Sequence, residues 1–196
     1  MRQTGWLLFL ALAFAPHPGA ASARESVPQF HVGKCEECHG RDGNSGQSLV
    51  PRINGQVPHY IVRRLDQLSG SADGRHASLS GAHGDLSPSL KSEIAQYFAA
   101  RTPTEADKAN ASGLGAAIYR DGIPGRNVAA CSYCHGTRGQ GDGPIPRLAG
   151  QHKAYLRIRL DLLSGILLQG SGAMHMAIGN VTPEEIDAIT SYLAAR

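Results

Sequence analysis

The apolar positions of this chain are spaced for helices, and the spacing occurs twice. Residues 60–68 place apolar side chains on one helical face, and residues 155–163 repeat the arrangement with more leucine and isoleucine. Later in each copy, Ser-Pro at residues 87–88 and Thr-Pro at residues 182–183 are typical of a helix N-cap followed by a first-turn proline. Since no stretch alternates apolar and polar residues, the pattern predicts an all-α protein.

These paired elements belong to one long internal repeat. The sequence PRINGQ at residues 51–56 matches PRLAGQ at residues 146–151, an offset of 95. Ala-Ala-Arg ends both copies, at residues 99–101 and at residues 194–196. A period this long indicates two tandem domains rather than a solenoid.

Each predicted domain is small. We place domain 1 at residues 24–101 and domain 2 at residues 113–196, joined by a short polar linker at residues 102–112. At about 80 residues, an apolar core alone gives marginal stability. We therefore expect a further component to complete the core of each domain.

The N-terminal residues have the layout of a secretory signal peptide. Arg2 precedes an apolar run at residues 6–15, and Ala21-Ser22-Ala23 ends the segment. The apolar run of about ten residues is shorter than the roughly 20 that span a bilayer. We predict that residues 1–23 are removed and that the mature protein is exported.

Charge does not point to a partner. The formal net charge is +3, and one of the 19 basic residues, Arg2, falls in the predicted signal peptide. The mature chain is therefore near +2, which is too small a charge to indicate a partner. It has no basic stripe with interleaved aromatic residues, so nucleic-acid binding is not indicated.

The cysteines carry the main chemical signal. All four belong to two Cys-x-x-Cys-His motifs, one formed by Cys35, Cys38 and His39 and the other by Cys131, Cys134 and His135. This motif is a c-type haem attachment site, because thiols one helical turn apart can each bond one vinyl group of the porphyrin. The adjacent histidine then serves as the proximal iron ligand. The chain is predicted to carry two covalently bound haem c groups, which would complete the two small cores.

Two other interpretations of the cysteines have less support from the sequence. A structural zinc site built from two Cys-x-x-Cys pairs usually has them about 15 to 20 residues apart, whereas Cys35 and Cys131 are 96 residues apart. A thioredoxin-like dithiol requires a preceding strand, and the sequence shows none.

With these motifs in view, the chain resembles the cytochrome c4 family, periplasmic dihaem electron carriers built from two class I cytochrome c domains. The likeness covers nearly all of the mature chain. It implies a periplasmic location and two haem-bearing helical domains. It also implies that the carbonyl groups of Pro51 and Pro146 orient the proximal histidines His39 and His135.

The resemblance implies a methionine as the sixth ligand of each iron, eight residues before the Ser or Thr that begins the last helix. In domain 2 that residue is Met174, with Met176 as the rival. In domain 1 the same position is Leu79, whose side chain cannot bind iron.

Three alternatives therefore exist at haem 1. His83, four residues after Leu79 and beside Gly84, is the leading candidate for the distal ligand. His76 is the second candidate, and water or no ligand is the third. The other histidines, at positions 31, 59, 152 and 175, are interpreted as surface or helix-end residues.

The resemblance implies a non-enzymatic function, the transfer of single electrons between respiratory proteins. The donor would be a quinol-oxidising complex or a dehydrogenase, and the acceptor a terminal oxidase or reductase. The alternative is a haem enzyme acting on peroxide, nitric oxide or a sulfur compound at a haem 1 that lacks a methionine ligand. A haem-based sensor is a third possibility, but the chain has no output domain.

Overall fold

The computed structural model describes residues 29–69, 83–84, 86–105, 113–164 and 178–196. Within these ranges the regular elements are helices, and strand pairing is limited to two isolated bridges. The all-α prediction is confirmed. No helix of the described ranges is both long and apolar enough to cross a membrane.

The helices fall into two groups that follow the sequence repeat. The first group is α1 (Gln29–His39), α2 (Pro58–Ser69) and α3 (Pro88–Ala99). The second group is α4 (Leu114–Asp121), the short α5 (Ser132–His135), α6 (Lys153–Ser164) and α7 (Pro183–Ala194). We call the parts of the chain that contain these groups the first half and the second half.

Each half has its own apolar core. In the first half, α2 packs against α3, and the core is formed by Val32, Ile61, Leu65, Ile94, Ala95 and Phe98. In the second half, α7 packs against both α4 and α6, and the core is formed by Ile118, Tyr119, Leu156, Ile189 and Leu193. These small clusters agree with the expectation that apolar packing by itself gives each half only marginal stability.

Both predicted N-caps are confirmed. The Ser87 hydroxyl accepts a hydrogen bond from the backbone N–H of Leu90 at 3.2 Å, at the start of α3. At the start of α7, the Thr182 hydroxyl accepts from the N–H of Glu185 at 3.3 Å, and the Glu185 carboxylate accepts from the N–H of Thr182 at 2.9 Å. This reciprocal pair is a capping box, which fixes where the last helix begins.

The two halves differ in how the chain enters its Cys-x-x-Cys-His motif. In the first half, α1 runs directly through Cys35 and Cys38 to His39. In the second half, α4 ends at Asp121, and a loop closed by the Ile123–Val128 bridge leads to Cys131. The two copies of the repeat therefore have equivalent motifs and later helices, but they differ in the segment that leads into the motif.

Candidate haem sites and the contact between the halves

The proximal histidines are held in the same way in both halves. His39 Nδ1 lies 2.8 Å from the carbonyl oxygen of Pro51, and His135 Nδ1 lies 2.9 Å from the carbonyl oxygen of Pro146. Because a carbonyl can only accept, Nδ1 must carry the proton, and Nε2 keeps the lone pair that binds a metal. The expected role of the two proline carbonyls is confirmed.

Burial keeps these imidazoles neutral. Desolvation lowers the pKa of His39 and of His135, against a smaller opposing effect of the proline carbonyl on each ring. A neutral imidazole is the form that ligates metals. Both rings are thus held in the protonation state and the tautomer that a proximal ligand requires.

The four cysteines form no disulfide, and the two pairs have matching environments. In each motif the first thiol, of Cys35 or Cys131, is half-buried against the core of its half. The second thiol, of Cys38 or Cys134, is exposed. Before haem attachment, burial raises the pKa of the Cys35 thiol and raises that of Cys131 to about 11, so both thiols are protonated at neutral pH. Each motif presents two thiols one helical turn apart, as a porphyrin edge with two vinyl groups requires.

A metal site formed by protein ligands alone is not assembled in the described ranges. They contain no group of three or more His, Cys, Asp or Glu side chains placed to hold a metal ion. The two Cys-x-x-Cys pairs therefore do not converge on a shared zinc site.

The candidate distal residues divide between described and undescribed parts of the chain. His83 is described, and its ring centre lies 6.1 Å from that of His39, with an angle of 75° between the ring planes. His76, Leu79, Met174 and Met176 lie outside the described residues.

Two buried glutamines join the halves by equivalent hydrogen bonds. The side-chain amide of Gln56 donates to the carbonyl of Arg147 at 3.0 Å and accepts from its N–H at 2.7 Å. In the other direction, the amide of Gln151 donates to the carbonyl of Arg52 at 2.8 Å and accepts from its N–H at 2.9 Å. Since Arg52 and Gln56 correspond to Arg147 and Gln151 in the repeat, these contacts relate the halves by a pseudo-two-fold axis.

Further polar contacts reinforce this junction. The Arg52 guanidinium donates to the carbonyl of Gly150 at 2.6 Å, and His152 Nε2 lies 2.8 Å from the carbonyl of Ser45. His152 lies at the start of α6 as predicted, but it makes a contact between the halves as well. The sequence did not reveal a role for the glutamines; their repetition at one position of both copies was the available signal.

Arg52 fits the negative charge that a haem brings. Its Nε is buried and has no hydrogen-bond partner among the described residues. Arg52 and Arg147 line a small polar cavity between the halves, and each follows directly the proline that binds a proximal histidine. Two partly buried guanidinium groups in such a place suit the propionate carboxylates of haem.

Two small helical halves, each with a Cys-x-x-Cys-His motif and an oriented proximal histidine, define a dihaem c-type cytochrome of the class I type. Comparisons with known proteins agree. A family model described as cytochrome C oxidase, cbb3-type, subunit III, matches residues 115–193. Cytochrome c4 of Thiocapsa roseopersicina is 34% identical over 188 residues, which cover 92% of this chain and 95% of the relative.

Solved structures give the same result. The crystal structure of reduced recombinant cytochrome c4 from Pseudomonas stutzeri has a TM-score of 0.75 and 27% identity, covering 85% of this chain and 95% of that one.

A further sequence relative matches a smaller part of the chain. It is 33% identical over 136 residues, which cover 65% of this chain and 61% of the relative, and is named thiosulfate dehydrogenase electron acceptor, from Stutzerimonas stutzeri. The chain belongs to the cytochrome c4 family.

This membership decides the general function. The protein is a dihaem electron-transfer cytochrome with two covalently bound haem c groups, and its partners are redox proteins. The alternative of a small-molecule haem enzyme is not favoured, because family members are electron carriers rather than enzymes.

The glutamine contacts give a testable prediction. Replacing Gln56 and Gln151 together by leucine removes the partners of four backbone groups of Arg52 and Arg147. A buried backbone group left unsatisfied costs roughly 1–3 kcal/mol, so we expect the halves to separate and each to unfold at a lower temperature. Small-angle scattering would report a larger radius of gyration, and calorimetry would report the loss of shared unfolding. The exposed Gln96→Leu variant is the control; equal effects of both changes would contradict the assignment.

Proposed function

We propose that the protein is a periplasmic carrier that takes single electrons from a quinol-oxidising complex or a dehydrogenase and delivers them to a terminal oxidase or reductase. The twin attachment motifs, each with a histidine whose Nδ1 is fixed by a proline carbonyl, carry this proposal. The relative named as the electron acceptor of a thiosulfate dehydrogenase supports a dehydrogenase as one class of donor. Residues 1–23 would act as the export signal.

Each haem has its own set of residues in this proposal. Cys35 and Cys38 hold haem 1 through thioether bonds, with His39 as its proximal ligand. Cys131 and Cys134 hold haem 2, with His135 as its proximal ligand and Met174 as its distal ligand. The domains are residues 24–101 and 113–196, with residues 102–112 as the linker.

When bound, each haem supplies an iron that changes between the ferric and ferrous states. The chain supplies the fixed surroundings of that change. Pro51 and Pro146 keep the two imidazoles in one tautomer, so that Nε2 stays a ligand in both oxidation states. Arg52 and Arg147 offset propionate charge at the junction.

The junction itself has a function in this proposal. Because Gln56 and Gln151 fasten each half to the backbone of the other, the two haem-bearing halves stay at one separation. An electron that enters one half reaches the other without a diffusive encounter. This is the advantage of a two-domain carrier over two separate cytochromes.

The haem content and the behaviour of the holoprotein test the proposal. Protein made in a host that attaches c-type haem should begin at Arg24 and have the mass of the chain plus two haem groups. Reduced protein should give two electrons per chain to an oxidised c-type redox protein in stopped-flow experiments. It should not turn over peroxide or nitric oxide. A mass with one haem would refute the site assignment, and rapid turnover of either small molecule would refute the carrier function.

A further inference from the structure

At two equivalent positions, one half has a residue type that can bind iron and the other half has an aliphatic residue. Counted back from the helix caps Ser87 and Thr182, Leu79 corresponds to Met174 and His83 corresponds to Ile178. The second half thus has methionine followed four residues later by isoleucine, and the first half has leucine followed four residues later by histidine. Ile178 is 6% exposed, so this position faces the interior of the second half.

The position of His83 relative to His39 fits two ligands of one iron. Two metal–nitrogen bonds of about 2 Å place the ligand nitrogens about 4 Å apart, and roughly 1 Å more separates each nitrogen from its ring centre. The ring centres of two axial histidines are therefore about 6 Å apart, and those of His39 and His83 are 6.1 Å apart. Spectroscopy of the haem-bearing protein distinguishes iron ligation from a direct aromatic contact, in which the ring centres have a similar separation.

The backbone of His83 is fixed on both sides. The Ser69 hydroxyl, at the end of α2, lies 3.0 Å from the carbonyl oxygen of His83. Three residues later, Leu86 packs against the core of the first half, directly before the cap of α3. His83 is thus held near His39 by two helices, and its side chain is only partly exposed.

We propose that the imidazole of His83 is the sixth ligand of the haem 1 iron, so that haem 1 has two histidine ligands while haem 2 has His135 and Met174. This proposal rests on the haem assignment made under the proposed function. A second imidazole nitrogen stabilises ferric iron more than a thioether does, because methionine ligation raises the reduction potential. Haem 1 then has the lower potential, and the first electron taken up by the oxidised protein resides on haem 2.

The wild-type holoprotein provides the first test, after mass spectrometry has shown two haems. Low-temperature electron paramagnetic resonance of the oxidised protein should show two low-spin species in equal amounts, one with two histidine ligands and one with histidine and methionine. A redox titration should resolve two one-electron steps. A high-spin haem 1, or two histidine–methionine species, would refute His83 as the ligand while leaving the carrier function intact. A missing haem would instead refute the site assignment.

Variants then identify the histidine. His83→Gly should convert one of the two haems from low-spin to high-spin and open it to carbon monoxide, while the haem 2 signal stays unchanged. Imidazole added during growth and purification should restore the low-spin species by occupying the same position. The matched variant His76→Ala should keep both wild-type signals and both redox steps. If the two-histidine signal survives in His83→Gly without imidazole, or disappears in His76→Ala, the proposal is wrong.

Discussion

Serine at both Cys131 and Cys134 is expected to give a protein with one haem and an unfolded second half. Within the described residues, the contiguous apolar cluster of that half has five buried side chains, and a core this small leaves a domain of this size marginal without its covalent group. Without the thioether bonds the porphyrin is held only through its proposed iron ligands, His135 and Met174, and we expect it to be lost during purification. The expected loss of folding stability in the second half is larger than that expected from removing any single side-chain contact in the protein.

Mass spectrometry and hydrogen exchange would measure this result. The mass should fall by one haem, and the amides of α4, α6 and α7 should exchange as in an unfolded chain. The amides of α2 and α3 should keep most of their protection. Serine at Cys35 and Cys38 is the mirror control, with loss of haem 1 and of protection in the first half. Native protection of α7 in a chain without haem 2 would show that the apolar core suffices.

Alanine at Gly115 is expected to destabilise the second half strongly, although it adds only one methyl group. Gly115 lies in α4 where this helix crosses α7, and a Cβ atom there would overlap the backbone carbonyl of Ala188 and lie 3.0 Å from the Cβ of Tyr192. A helix backbone cannot yield as the end of a flexible side chain can. Forcing extra atoms into a packed contact costs typically about 1–3 kcal/mol, and in this contact α4 must move away from α7.

The first half contains a matched control. Gly33 lies within α1, and a Cβ atom there would have no heavy atom within 4 Å. Alanine at Gly33 should therefore stabilise the protein by up to about 1 kcal/mol through helix propensity. Denaturant unfolding of both holoproteins would separate the two cases. Equal midpoints for the two variants would mean that α4 and α7 are not in close contact at Gly115.

Much of the fold and of the chemistry is encoded locally. Helices α2, α3, α6 and α7 are predicted because their apolar residues recur at helical spacing. The caps at Ser87 and Thr182 are predicted because a hydroxyl reaches the backbone only three residues away. The attachment motifs need no tertiary information, since Cys, Cys and His lie within one turn or so of a single helix. The contacts of Pro51 and Pro146 with the histidines were available through family resemblance, not from spacing.

Other features depend on residues that are distant in the sequence. In the sequence, Gln56 and Gln151 were recognisable only as one position conserved between the two copies of the repeat. Their hydrogen-bond partners could not be predicted, because these lie 91 and 99 residues away along the chain. Nothing in the sequence predicted the contact of His152 with the carbonyl group of Ser45 in the other half. A polar side chain has many possible partners, and only the packing of complete helices selects one of them.

The sequence by itself therefore determined the helical class, the two-fold repeat, the two haem c groups and the absence of a methionine at Leu79, since each follows from residue type and short spacing. It favoured His83 over His76 as the distal ligand of haem 1 but could not place either ring near the iron. The tertiary structure brought the His83 ring to 6.1 Å from His39 and joined the two halves through paired glutamines. Both results depend on distances through space, which are set by helix packing rather than by the order of residues.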